Sequence, residues 1–76
     1  MTYQSYCTMV GCNVSRLRRE QGMDTGLLAL LCGFLPSTIT RMEAGELPVT
    51  PQGIAAVAVA LGVPVRAIQP DVEISW

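Results

Sequence analysis

The sequence predicts an all-α domain built from five short helices, and three observations support this class. Half of the 76 residues are hydrophobic and only 14% are charged, a composition that favours a packed core over disorder. Apolar residues recur at helical spacing in several stretches. Glycine and proline stand where such stretches end and begin, the positions that they favour at helix termini. The length allows one domain.

The first two predicted helices have clear boundaries. One short helix surrounds Leu17, carries charged residues on its outer faces and stops at Gly22, because glycine adopts the left-handed conformation at low cost. A second helix covers residues 25–32, with the Asp24 carboxylate able to cap its free amide groups. Gly33 is its expected end.

Three further helices follow in the C-terminal half. Proline suits the first helical position, which predicts a third helix over residues 36–43. Thr50 as cap and Pro51 at the first position predict a fourth helix that ends at Gly62. Residues 64–68 favour one or two more helical turns.

Both termini depart from the helical pattern. Residues 2–10 are rich in β-forming side chains, and the tail alternates polar residues with apolar ones, namely Val72, Ile74 and Trp76. Each segment could form a short strand, which would have to pair with the other or with a second subunit. The expected organisation is an N-terminal extension at 1–10, a helical domain at 11–69 and a C-terminal tail at 70–76.

Charge and residue usage exclude several function classes. The net charge of −1 argues against a nonspecific nucleic-acid coat, which would be strongly basic. The absence of histidine excludes histidine-based catalysis and histidine-containing metal sites. The three cysteines are odd in number and lack CxxC spacing, so we expect reduced thiols. We therefore expect no enzyme activity, no cofactor and no metal.

The apolar content also bears on location and assembly. No signal-peptide pattern is present, and the longest unbroken apolar stretch, 54–61, is far shorter than the roughly 20 residues of a membrane span. A cytoplasmic protein without membrane contact is expected. So small a domain buries only about 60% of its unfolded surface. The surplus of apolar side chains therefore predicts a partner surface, most simply a homodimer.

Residues 25–44, TGLLALLCGFLPSTITRMEA, carry a recognisable motif of helix, glycine-centred turn and helix. Small Ala29 stands where the two helices would touch, and Gly33 stands at the turn. The apolar positions of the motif are Leu28, Cys32, Phe34, Ile39 and Met42. This pattern resembles the Cro and lambda-repressor-like helix-turn-helix family, of the xenobiotic-response-element type. The resemblance extends over about residues 14–68 and implies a compact five-helix DNA-binding domain.

In that family the third helix lies in the DNA major groove. The resemblance implies DNA contacts at Thr25, Pro36, Ser37, Thr38, Thr40 and Arg41, with Arg16 and Arg19 available for further contacts. Arg41 is the most informative, because a guanidinium can bond O6 and N7 of guanine together. Thr25 is placed to hold a phosphate. Ser37 and Thr38 are equally well interpreted as caps of local amide groups.

Comparison with the family pattern gives one implied contact and one departure. The family pairs the arginine that matches Arg18 with the glutamate that matches Glu43, which implies a structural ion pair. The chain also departs from the family pattern, because leucine replaces the usual polar residue at Leu27, Leu30, Leu31 and Leu35.

These observations leave two functions open. The first is a dimeric, sequence-specific transcriptional regulator, a small phage- or bacterial-type repressor that binds a double-stranded operator. The second is a protein-interaction module or antirepressor on the same scaffold, with the leucines as its binding site. The tail, the fourth helix and the second-helix leucines all remain candidate dimer surfaces.

Overall fold

Five α-helices make up the described part of the chain, residues 2–46 and 50–70 of a computed structural model. They are α1 (Tyr3–Glu20), α2 (Thr25–Cys32), α3 (Pro36–Glu43), α4 (Pro51–Leu61) and α5 (Val65–Ile68). The predicted all-α class and the order of five helices are confirmed. The predicted tail strand of Val72, Ile74 and Trp76 lies outside the described residues.

α1 is much longer than the pattern predicted, and the predicted N-terminal strand is wrong. The helix begins at Tyr3, and the Ser5 amide donates a capping hydrogen bond to the Thr2 hydroxyl at 3.1 Å. Tyr6 and Val10 lie one turn apart on the face that α1 buries in the core. Burying a whole helix face outweighs strand propensity, which is a weak and context-dependent preference.

α2 and α3 begin and end where the sequence predicted. The Leu27 amide donates to the Asp24 carboxylate at 2.7 Å, which caps α2. Gly33 ends α2 in the left-handed conformation, with φ of +76°. Pro36 occupies the start of α3. The two helix axes differ in direction by 110°, an angle typical of a helix-turn-helix unit.

One apolar core joins all five helices. Its buried members are Tyr6, Val10, Val14, Leu17, Leu28, Ala29, Ile39, Ile54, Val57, Ala58, Leu61 and Ile68. Two amide side chains, one in α1 and one at its C-cap, tie the C-terminal helices to α1: Asn13 donates to the Ile68 carbonyl at 3.0 Å, and Gln21 donates to the Leu61 carbonyl at 2.6 Å. The core therefore fixes where α2 and α3 stand relative to α1.

Among the described residues no single helix is long and apolar enough to cross a bilayer. α2 and α3 reach that length and apolarity only together, as a pair bent by 110°.

Candidate nucleic-acid interface

α3 presents a polar stripe to solvent while it buries Ile39 on the opposite side. Exposed positions along this stripe are Pro36, Ser37, Thr40, Arg41 and Ala44. Thr38, which the sequence placed among the DNA contacts, is half-buried and lies at the edge of the stripe. The helical period of 3.6 residues produces this division, since positions 36, 40 and 44 lie above one another.

The stripe contains one cation and two hydroxyl groups. Arg41 is exposed and forms no ion pair within the described residues. The Thr40 hydroxyl donates to the Pro36 carbonyl at 3.1 Å, so its proton is engaged and its lone pairs remain as acceptors. Ser37 is exposed on the first turn. The arrangement offers Arg41 as a donor to guanine or phosphate, with weaker polar groups beside it.

The N-terminus of α2 has a mixed character. Thr25 is half-buried at the first helical position, where the helix dipole and free amide groups favour an anion. The Asp24 carboxylate caps the same end and accepts the Leu27 amide. Its negative charge therefore lies beside Thr25, the residue predicted to hold a phosphate. The sequence pattern had indicated Asp24 only as a cap.

Arg18 and Glu43 form a bidentate ion pair between α1 and the end of α3. Arg18 Nε donates to Glu43 Oε2 at 2.7 Å, and its Nη2 donates to Oε1 at 3.0 Å. The two side chains are only 11% and 12% exposed. A third bond runs from Arg18 Nη1 to the Met23 carbonyl at 2.8 Å. Hydrogen bonding to Glu43 raises the pKa of Arg18 further above its ordinary value, because it favours the charged guanidinium.

Arg16 and Arg19, the two α1 residues that the resemblance made available for DNA contacts, line an open cleft of about 440 Å³. Its lining residues are Cys12, Ser15, Arg16, Arg19, Glu20 and Glu43. Arg16 pairs with Glu20 at 3.2 Å, and both side chains are more than half exposed. The lining includes none of the exposed stripe of α3. The α3 positions thus share one helix face, whereas Arg16 and Arg19 line a cleft that Glu43 at the end of α3 also borders.

The leucines that depart from the family pattern are exposed. Leu27, Leu30, Leu31 and Leu35 are 44%, 76%, 53% and 69% exposed. The first three share one face of α2, since they lie three and four positions apart. We call these four residues the leucine patch.

The cysteines are free where the structure describes them: Cys7 is buried, Cys12 exposed and Cys32 half-buried. Burial raises the pKa of the Cys32 thiol, which makes its thiolate scarcer. Within residues 2–46 and 50–70 no three cysteine or carboxylate side chains come together as metal ligands.

Comparison with known proteins places this geometry in context. Residues 10–69 match the model of a family described as a helix-turn-helix domain. A search of curated protein sequences finds no match.

Several solved structures share the fold. The restriction-modification controller protein C.AhdI from Aeromonas hydrophila is 26% identical, with a TM-score of 0.81 over 84% of this chain and 97% of that chain. The clp gene regulator ClgR from Corynebacterium glutamicum is 24% identical, with a TM-score of 0.80 over 83% and 82%. Hydroxypropylphosphonic acid epoxidase from S. wedmorenis is 28% identical, with a TM-score of 0.81 over 88% of this chain but 36% of its own. The fold therefore occurs in gene regulators and as a minor part of an enzyme.

Proposed function

The chain belongs to the helix-turn-helix domain family, and from that premise we propose that it is a sequence-specific DNA-binding transcriptional regulator of the small repressor type. One observation carries the proposal. α3 exposes a polar stripe whose Arg41 forms no ion pair with any residue of 2–46 or 50–70, while its far end is fixed to α1 by the buried pair of Arg18 and Glu43. A rigidly held helix with a free polar face is what major-groove recognition requires.

In this proposal the side chains of α3 contact the bases of the operator. Arg41 donates two hydrogen bonds to O6 and N7 of one guanine. Ser37 and Thr40 add weaker polar contacts, and Pro36 offers an apolar surface to a thymine methyl group. Thr25 and the first amides of α2 hold a backbone phosphate and so set the register, with Thr38 at the edge of the contact surface.

The regulator acts as a homodimer in the cytoplasm. The net charge is −1, and the guanidinium of Arg18 is already neutralised by Glu43. One subunit therefore has few cations for phosphate, whereas a two-fold dimer doubles them and reads two half-sites about one helical turn apart. The activity needs neither a cofactor nor a metal, and no enzymatic step is part of it.

Selection from a random duplex pool tests this function. Enrichment of a duplex with two related half-sites, with binding that weakens steeply as salt rises, is the expected result. A pool that shows no enrichment, at low salt as well as at physiological salt, would contradict the regulator.

Sedimentation at tens of micromolar tests the dimer separately. The expected mass is near twice 8.2 kDa, and a single species at 8.2 kDa would contradict dimerisation. Deletion of residues 72–76 then locates the contact, because loss of the dimer assigns it to the apolar tail and an unchanged mass assigns it to the helical surface.

The leucine patch favours a second candidate, a protein-interaction module or antirepressor. Four large apolar side chains exposed on one part of a small domain are typical of a protein-binding surface. The S. wedmorenis epoxidase contains this fold as 36% of its chain, so the scaffold is compatible with proteins other than simple regulators.

Leu30→Glu separates the two candidates, with Val59→Glu on α4 as a matched control of similar exposure. Affinity capture from source cells should lose its partner in the Leu30 variant alone if the interaction module is correct. If Leu30→Glu binds DNA as the wild type does but no longer captures the partner, the module is favoured. If Leu30→Glu loses DNA binding and neither protein captures a partner, the regulator is favoured.

A further inference from the structure

The first two turns of α1 lie outside the matched family region. α1 begins at Tyr3, whereas the match begins at residue 10. Tyr6 and Cys7 in these turns are nevertheless buried. The segment 3–9 is therefore attached to the fold through these two side chains.

One side of α1 runs across the end of α3. Gln4 Nε2 donates to the Gly45 carbonyl at 3.2 Å. The Thr8 backbone packs so closely on Gly45 that a Cβ there would lie 3.0 Å from the Thr8 Cα. A Cβ on Gly11 would lie 2.7 Å from the Glu43 carbonyl oxygen. With Arg18 about two turns after Gly11, these residues form a continuous line along α1.

α3 needs such external support because it anchors itself weakly. Among its eight residues only Ile39 is fully buried. Its N-cap is Leu35, which makes no side-chain cap hydrogen bond. Its C-terminal turn closes through the amides of Gly45 and Glu46, which donate to the Met42 and Arg41 carbonyls. Gln4 and Thr8 hold this turn from outside.

We propose that the first two turns of α1 are a positioning element for α3, with Gln4 and Thr8 as positioning residues for DNA reading and Gly11 continuing the same contact in the next turn. The proposal rests on the DNA-binding function proposed above. The element contacts no base. It fixes the orientation and position of α3, the helix that carries Arg41, and therefore affects how well the protein discriminates between DNA sequences.

The expected effect is on discrimination more than on total affinity. A bidentate contact to guanine requires a fixed geometry, whereas attraction to phosphate depends mainly on charge. A small shift of α3 therefore weakens binding to the selected duplex while binding to an unrelated duplex stays the same.

Hydrogen exchange in the DNA-free protein provides the first test. In Gln4→Ala the amides of Gly45 and Glu46 should exchange several-fold faster. The matched internal reference is the end of α4, where the amides of Gly62 and Val63 close an equivalent glycine turn that Gln4 does not contact. Equal exchange of Gly45 and Glu46 in wild type and variant would overturn the positioning role without reference to DNA.

Binding to the duplex selected from the random pool, relative to a scrambled duplex of equal length, provides the second test. Gln4→Ala should lower that ratio by roughly fivefold, and Gly11→Ala by more if it folds. Ser5→Ala, on the same two turns but with a side chain that bonds the Thr2 hydroxyl rather than the Gly45 carbonyl, should leave it unchanged. An unchanged ratio in Gln4→Ala would overturn the proposal, whereas a wild-type protein that prefers no duplex would overturn the DNA-binding function itself.

Discussion

α2 and α3 are both eight residues long and follow one another across a single turn, yet they are held in place in different ways. α2 has no charged residue, is capped by Asp24 and buries Leu28 and Ala29. α3 buries only Ile39 and lacks a side-chain cap, but a buried ion pair and α1 fix its end. α2 is therefore held by its own buried side chains and cap, whereas α3 is held largely by polar contacts that α1 makes to its end.

The outer faces differ just as much. α2 exposes three large apolar side chains, and α3 exposes polar groups and Arg41. Apolar content alone thus does not identify the side chains that stabilise the fold, since most leucines of α2 lie outside the core. The following experiments test this contrast, in order of decreasing effect.

Leu28 and Leu30 test the two faces of α2 directly. Leu28 is completely buried and Leu30 is 76% exposed. Leu28→Ala should lower the free energy of unfolding by about 2 to 5 kcal/mol, because it leaves a cavity. Leu30→Ala should change it by less than about 0.5 kcal/mol. Urea denaturation measures both, and similar losses in the two variants would contradict the assignment of faces.

Glu43→Ala tests the anchor of α3. Removing one partner of the buried pair leaves Arg18 uncompensated, so the variant should lose on the order of 3 kcal/mol of stability. Glu20→Ala breaks the exposed pair with Arg16 and should cost little. A melting temperature of Glu43→Ala equal to that of Glu20→Ala would show that α3 is held by other contacts.

Arg41→Ala tests the outer face of α3. The side chain is exposed, so the fold and melting temperature should persist. Binding to the selected duplex should weaken by about 1 to 3 kcal/mol. Arg66→Ala, an exposed arginine on α5, is the control for simple loss of charge. Equal losses in the two variants would show that Arg41 contributes charge and no base reading.

The caps provide the smallest contrast. Asp24→Ala removes the cap of α2 and should cost about 1 kcal/mol. Leu35→Ser supplies the cap that α3 lacks and should stabilise the protein by about 0.5 to 1 kcal/mol. Thermal denaturation without DNA measures both. A destabilised Leu35→Ser variant would indicate that the exposed Leu35 side chain packs against a partner or a second subunit.

Local sequence signals were sufficient for α2, α3 and α4. Asp24, Pro36 and Thr50 act at helix starts, where a side-chain oxygen or a fixed φ satisfies the terminal geometry without any distant contact. Gly33 and Gly62 end helices for an equally local reason, since both adopt positive φ. The exposed stripe of α3 follows from the same helical period.

α1 shows where local signals fail. Residues such as Tyr6 and Val10 favour strand by propensity, and only the core formed by the other helices makes their helical arrangement the more stable one. A capping Thr2 and apolar residues spaced one turn apart were the signals available for it. The prediction of a strand there rested on propensity alone.

Local signals in the sequence predicted the ends of α2, α3 and α4 and the polar face of α3, because caps, turns and periodicity act over a few neighbouring residues. The pair of Arg18 and Glu43 was predicted only through the resemblance to the family. Tertiary packing set three further features: α1 extends to Tyr3, Gly11 and Gly45 touch other backbone, and Arg16 and Arg19 line a cleft with Glu43. These features depend on contacts between residues distant in the chain, whose pairing no local pattern specifies.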